Sequence, residues 1–328
     1  MGEPLLTVED LQVRFQRAED TIYAVNGMSF HVDAGEILGI VGESGSGKSV
    51  TMMSLVRLTR GATMLQAQTA KFREHDLLSL SPTLLEDMRG RDIGVVFQDP
   101  MTSLNPVMRV GDQIKEAMTE HQFALGREAQ KRAIELLSEV GIPDPAKRYY
   151  SYPHELSGGM RQRIMIAIAI ACEPNLLVAD EPTTALDVSV QKQILALLSE
   201  LRERRHMSIV LITHDFGVAT NFCDRLVVLY AGKVMESAPV EEFITRTAHP
   251  YSVGLRKSVL EMGARGRVLE PIPGAAPTWT REPEGCPFVA RCTWAQPQCQ
   301  TEIPVLRTIA PGHEVACHRA EEVVARAG

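Results

Sequence analysis

No run of apolar residues in this 328-residue chain is long enough to cross a membrane. The longest, Ile164 to Cys172 (IMIAIAIAC), is about half of the ~20 residues that a spanning helix needs. A basic stripe is missing as well. The 34 Lys and Arg are interspersed with 41 Asp and Glu, for a net charge of −7, which excludes the footprint of sequence-independent nucleic-acid binding. The N-terminus, MGEPLLTVEDL, has neither the basic nor the apolar region of a secretory signal, so the protein is expected in the cytosol. Low-complexity tracts are lacking, and 45% hydrophobic with 23% charged residues is the composition of a globular protein. Six cysteines in a reducing compartment are expected to stay unpaired. The length suits two domains.

What is present is an alternation of short β-branched runs and helical periodicities, the pattern of strands covered by helices. Ile37 to Val41, Ile93 to Phe97, Leu176 to Ala179, Ile209 to Thr213 and Leu226 to Leu229 read as buried strands. Ala133, Leu136, Leu137 and Val140 fall at i, i+3, i+4, i+7, as do Ile194, Leu197, Leu198 and Leu201; each set marks a helix, the first stopped by Gly141. Near Pro250 the texture changes, and Pro271 to Pro287 (PIPGAAPTWTREPEGCP) has no usable period. The expected division is a domain over residues 1–250 and an extension over 251–328. The extension is too short for a generous core and cysteine-rich enough for a metal staple.

Ile37 to Val41 runs directly into GESGSGKS, Gly42 to Ser49, the pattern G-x-x-x-x-G-K-[ST] after a strand and before a helix. In such a loop the backbone N–H groups of Gly42, Glu43, Ser44, Gly45, Ser46 and Gly47 can turn inward around phosphate oxygens. The helix opened by Lys48, Ser49 and Val50 brings its positive end to the same place. Lys48 suits the β- and γ-phosphates of a nucleotide, and the Ser49 hydroxyl suits Mg²⁺. LLVADEP, Leu176 to Pro182, ends a strand with two carboxylates: Asp180 to hold Mg²⁺ through water, Glu181 to orient and deprotonate an attacking water. Gln98 and His214 each follow another strand, where a lone Gln or His is more often structural. Together with the phosphate loop, the strand ends could bring Ser49, Gln98, Asp180 and His214 to one γ-phosphate.

LSGGMRQR, Leu156 to Arg163, lies between the Gln98 segment and the acidic pair. With GESGSGKS, FQDP, LSGGMRQR, ADEPTTALD and THD in this order, residues 5–250 resemble the ATP-binding subunits of ABC transporters. The resemblance implies an α/β fold of the P-loop NTPase kind, a RecA-like core with a helical subdomain over about residues 100–170, followed by a small cysteine-rich extension. It implies that two such domains face head to tail, Ser157, Gly158 and Gly159 of one serving the nucleotide held by the other. By the same resemblance Glu181 is the catalytic base, His214 holds the γ-phosphate and water, and Gln98 senses metal and nucleotide. Asp187 would couple the two sites, and Phe15 would stack on adenine.

More narrowly, FQDPMTSLNP, YPHELSGGMRQR, TTALDVSVQ, LYAGKVME and HPYSVGL resemble D-type ATPase subunits of dipeptide and oligopeptide importers, and IPGAAP with GCPFVARC resembles their C-terminal extension. Such a subunit hydrolyses ATP on the cytoplasmic side of the inner membrane, as a peripheral protein. It pairs with a sister ATPase or with itself, and binds two membrane-spanning permeases served by an extracytoplasmic substrate-binding protein. Nickel chelates, glutathione or murein peptides are alternative cargoes within the family. A non-transport ABC ATPase would ordinarily carry coiled-coil insertions or a second fused domain. Two departures stand out: Arg73-Glu74-His75 where the family has a glycine turn, and Ala290 where proline is frequent.

Cys286, Cys292, Cys299 and Cys317 are separated by gaps of five, six and seventeen residues, with no C-x-x-C. Four thiolates suit Zn²⁺ or an iron–sulfur cluster, and the spacing does not decide between them. The importer resemblance implies a [4Fe–4S] cluster; because ATP hydrolysis moves no electrons and Ser49, Asp180 and Glu181 already account for it, changing Cys292 is expected to spare nucleotide binding. Cys172 and Cys223 sit in apolar contexts and are expected to be small core residues.

Overall fold

The computed structural model describes residues 3–17, 19–59, 61–184, 186–258 and 272–327. Met1 and Gly2 of the N-terminal stretch, Ala185 of ADEPTTALD and Pro271 of the proline-rich segment lie outside them. Strands follow as β1 (Leu6–Gln16), β2 (Thr21–Val32), β3 (Ile37–Val41), β4 (Ala62–Gln66), β5 (Thr69–Phe72), β6 (His75–Asp76), β7 (Ile93–Val96), β8 (Leu176–Asp180), β9 (Ser208–Thr213), β10 (Arg225–Tyr230), β11 (Lys233–Pro239), β12 (Arg307–Ala310) and β13 (His313–Val315). The chain divides into two units: Met1–Asp33, Ile37–Ser79 and Ile212–Gly328 in one, Ala34–Glu36 and Leu80–Leu211 in the other.

In the first unit β1 and β2 form a long antiparallel pair, Leu6 opposite Val32 and Val13 opposite Val25, all four buried. β4 and β5 pair with β1, and β6 closes a hairpin on β5. That hairpin turns at Arg73, whose φ of 52° is the left-handed conformation for which the family's missing glycine is better suited. The turn forms all the same, with Arg73 absorbing the backbone cost. A second sheet region runs in the order β12-β13-β11-β10-β3. β3 is parallel to β10 and buried along its whole length, which is why ILGIV shows no polar alternation.

The C-terminal extension groups with this first unit, although the sequence changes texture near Pro250. β13 pairs with β11 at Glu236 and Val315, and Phe288 packs edge-on against Tyr230. Glu236 is fully buried and fully engaged: its carboxylate accepts from the amides of Ala248 and His249, and His313 Nε2 lies 2.8 Å from Oε1. A small apolar cluster of Ala248, Val315 and Ala320 completes the attachment.

In the second unit β7 and β8 are parallel, Ile93 beside Leu176 and Val96 beside Ala179, and β9 neighbours β8. Among the described residues the segment from Phe97 to Asn175 carries helices and no strand; the longest of them span Val110–Glu120, Gly126–Glu139 and Gly158–Ala169. Ala133, Leu136, Leu137 and Val140 are buried as their spacing requires, and so are Ile194, Leu197, Leu198 and Leu201 on the helix Val188–Arg205. Gly141 follows the first of these helices with a φ of 74°. Arg205 and Glu139 tie the two helices together through an ion pair at 2.8 Å. Cys172 and Cys223 are both buried in the core, as their surroundings suggested.

Candidate functional site

The phosphate loop leaves β3 and enters the helix Lys48–Leu55. Two of its three glycines answer to crowding, and Gly45 to its φ of 79°. A Cβ on Gly42 would lie 2.2 Å from the Leu229 carbonyl oxygen, and one on Gly47, whose φ is 100°, would lie 2.6 Å from that of Ala24. Gly47 caps the helix without any side-chain hydrogen bond, so the first-turn amides are not taken by a capping residue. Lys48 is buried and donates to the carbonyls of Gly42 and Glu43, both at 2.9 Å, which folds the ammonium back over the loop. Ser44 and Gly45 are exposed, while Ser46 and Gly47 are buried; Ser49 and Val50 are half-buried on the first helical turn.

Glu43 departs from the cradle expected of it. Its amide donates to the Tyr251 hydroxyl at 2.9 Å, and its carboxylate takes a two-pronged contact from Arg291. Sequence reasoning passed over Tyr251 and Arg291, because both come from the C-terminal extension and carry no local mark of a nucleotide site. Phe15 is half-buried on β1, opposite Ile22 on one side and Ala62 on the other, so its ring is not consumed by the core. His214 follows β9 and is exposed.

In the second unit Asp180 is the last residue of β8 and is only 6% exposed. Glu181 follows with a φ of 46°, a left-handed conformation that costs a non-glycine residue about 1–3 kcal/mol and is found at functional sites. Its Oε2 accepts from Gln98 Nε2 at 2.9 Å and from the Thr184 hydroxyl at 3.0 Å. Gln98, expected at metal and nucleotide, therefore meets the carboxylate of Glu181 directly. Thr184 is a second partner that the sequence did not single out.

Ser157 caps the helix Gly158–Ala169, its hydroxyl oxygen accepting from the Met160 amide at 3.4 Å. Ser157 and Gly158 are exposed, while Gly159 is held near Val190, whose Cγ1 would lie 2.8 Å from a Cβ there. Asp187 caps the helix Val188–Arg205 in the same way and more tightly. Its Oδ1 accepts from the Ser189 hydroxyl and from the amides of Val190 and Ser189, and those bonds hold its carboxyl below the ordinary range.

In the extension, Cys286, Cys292, Cys299 and Cys317 line one small cavity together with His249 and Trp294. All four are free thiols. Burial pushes the Cys286 thiol up to about 12 and Cys317 to about 11, and raises Cys292 as well; the neighbouring cysteines add to each shift. A cavity of this kind keeps its thiols neutral unless a cation arrives to stabilise the thiolates. The ready-made cluster of ligands expected for a metal is not there: among the described residues no group of three His, Cys, Asp or Glu is drawn together as a bound metal ion requires. Burial holds His249 down at about 3, so it stays neutral.

Residues 25–184 match the family model described as ABC transporter, and residues 235–299 match that described as Oligopeptide/dipeptide transporter, C-terminal region. Along 98% of its length the chain is 48% identical to the "Probable peptide ABC transporter ATP-binding protein" of Sinorhizobium fredii, of which it covers 96%. The chain belongs to the ABC transporter ATP-binding family. Within that family it is also 47% identical to the oligopeptide transport ATP-binding protein OppD of Mycobacterium tuberculosis, covering 98% of this chain and 53% of that longer one. Among solved structures it is similar to an ATP-binding cassette captured as a dimer in a post-hydrolysis state with ADP and Pi. That match has a TM-score of 0.64 and 29% identity, over 72% of this chain and 98% of the other. As an ABC ATPase, the chain binds and hydrolyses ATP.

Proposed function

We propose that this chain is the ATP-hydrolysing subunit of a peptide importer. The single observation that carries the proposal is the joint presence of the phosphate loop Gly42–Ser49, the strained and doubly bonded Glu181, and an extension of the oligopeptide/dipeptide transporter type in one chain. Among the described residues no helix is long and apolar enough to cross a membrane. Two membrane-spanning permeases, a second ATPase subunit and an extracytoplasmic substrate-binding protein complete the machine, and this chain sits peripherally on the cytoplasmic face of the inner membrane. A sister ATPase is the preferred second subunit, with a homodimer as the alternative.

In this mechanism Lys48 and the first-turn amides hold the phosphates of ATP. Phe15 offers its half-exposed ring to the adenine. Ser49 and Asp180 are the residues for Mg²⁺, which when bound offsets charge on the phosphate oxygens. Glu181 takes a proton from the attacking water, Gln98 and Thr184 holding its carboxylate in one orientation beforehand. His214 steadies the γ-phosphate. Ser157, Gly158 and Gly159 serve the nucleotide of the second subunit, and Asp187 fixes the turn that precedes its helix. Closure of the ATPase pair on ATP and its reopening after hydrolysis drive the permeases between their two states.

For the four cysteines we keep the [4Fe–4S] cluster that the importer resemblance implies, with Zn²⁺ as the alternative. One zinc ion needs four sulfurs at about 2.3 Å from a single point, whereas a cluster takes its thiolates from around a larger body. When bound, the cluster supplies a cationic anchor for the thiolates and ties the extension together. The test is reconstitution of the full importer in liposomes: peptide uptake driven by ATP supports the reading, and uptake of nickel chelate in its place redirects the cargo. Anaerobic preparation with iron and sulfide supports the cluster, whereas stoichiometric zinc contradicts it.

A further inference from the structure

Glu43 of the phosphate loop and Arg291 of the extension are 248 residues apart in sequence and meet in a fork. Arg291 Nη1 donates to Oε2 at 2.6 Å and Nη2 to Oε1 at 2.9 Å. The guanidinium is 7% exposed, and its other donors are spoken for by the carbonyls of Pro273, Ile272 and Gly274 and by the Tyr230 hydroxyl. It has no freedom to choose another geometry. Lys48 holds Glu43 by its carbonyl, Tyr251 by its amide and Arg291 by its carboxylate, so one residue of the loop is fixed at three points, two of them from the extension. Arg291 in turn ends the short turn Val289–Arg291, between Cys286 and Cys292 of the four-cysteine cavity.

We propose that Arg291 is a positioning residue for the phosphate loop, and that through it a change in the four-cysteine cavity is felt at the nucleotide. The proposal rests on the ATP-site reading above. Two physical effects carry it. The fork holds the loop in the shape that points its amides at phosphate, and only a planar, bidentate guanidinium can do so. It also neutralises a carboxylate that would otherwise face a polyanionic ligand across a short loop.

The test is ATP affinity of the full-length chain, measured by titration with a fluorescent ATP analogue, beside the steady-state kinetics of the assembled importer. R291A is expected to raise Kd about tenfold, the scale of one lost charge-assisted contact, while kcat at saturating ATP stays within about twofold. Adding E43Q to R291A should restore part of the affinity, because the unpaired carboxylate is gone. C292S should raise Kd in the wild-type background and leave it unchanged in the R291A background. If R291A does not fold, E43Q with a native near-ultraviolet spectrum takes its place and should also weaken binding. Wild-type affinity in folded R291A or E43Q, or independent and additive effects of R291A and C292S, would overturn the proposal. Failure of the wild-type chain to bind ATP at all would instead strike the reading on which it rests.

Discussion

Two glycine turns open helices in this protein, and they are built for opposite purposes. In the turn Gly42–Ser49 two of the three glycines are demanded from inside: backbone oxygens of Leu229 and Ala24 leave no room for a Cβ at Gly42 or Gly47, while Gly45 is exposed and uncrowded, and Lys48 is buried against its own loop. In the turn at Leu156–Gly159 the central glycine is demanded by nothing in the chain. A Cβ on Gly158 would meet only Leu186, at an ordinary 3.7 Å, and both Ser157 and Gly158 face outward. The contrast is between a turn packed from within the chain and one left open, as the proposed role of Ser157 and Gly158 toward a second subunit requires.

Breaking the inner turn should have the largest effect. Lys48→Ala removes the buried ammonium, and the isolated chain should lose measurable ATP binding in equilibrium dialysis. Ser157→Arg should leave that binding near wild type and yet lower hydrolysis by the assembled pair by ~10²-fold, the scale of losing a preorganised donor. Loss of ATP binding in the isolated Ser157→Arg chain would mean that the outer turn acts on its own nucleotide. Alanine sharpens the comparison further: Gly47→Ala should cost about 2 kcal/mol of stability through strain and close contact, and Gly158→Ala less than about 0.5 kcal/mol. Equal melting temperatures for the two would erase the distinction.

An effect comparable to that of Gly47→Ala lies outside both turns. Burial raises the Glu139 carboxyl, but the Arg205 fork outweighs it and holds the group below its ordinary value of 4.5. A depressed carboxylate stabilises the fold above its unfolded pKa and loses that contribution as pH falls through the lower, folded value. Glu139→Gln should therefore cost about 2 kcal/mol at neutral pH, with the gap to wild type closing as pH drops below 4.5, followed by thermal unfolding across pH.

Much of this was legible in the chain itself. β3, β7, β8, β9 and β10 appeared as runs of apolar residues, because strands covered on both faces have no polar alternation to obscure them, whereas β1, β2 and the buried β11, which carries Glu236 and Ser237, were not read. The phosphate loop and the acidic pair were legible because their chemistry requires particular residues in sequence order. The strands β4, β5 and β6 were not, being short, half-exposed and weakly patterned. Nor was the role of Glu43, since its partners Tyr251 and Arg291 lie more than 200 residues away and no local spacing records such a contact. Whether the cysteine cavity is independent of the nucleotide, as first expected, is what the C292S titration decides.

The measurement that bears most directly on the account is ATP turnover by the purified importer carrying Glu181→Gln in this subunit, with ATP affinity determined on the same preparation. The substitution keeps the shape and the contacts from Gln98 and Thr184 but removes the base. The account predicts unchanged affinity with turnover at this subunit's site lower by ~10²-fold or more, the scale of a lost general base. Wild-type turnover in the folded, ATP-bound variant would contradict it.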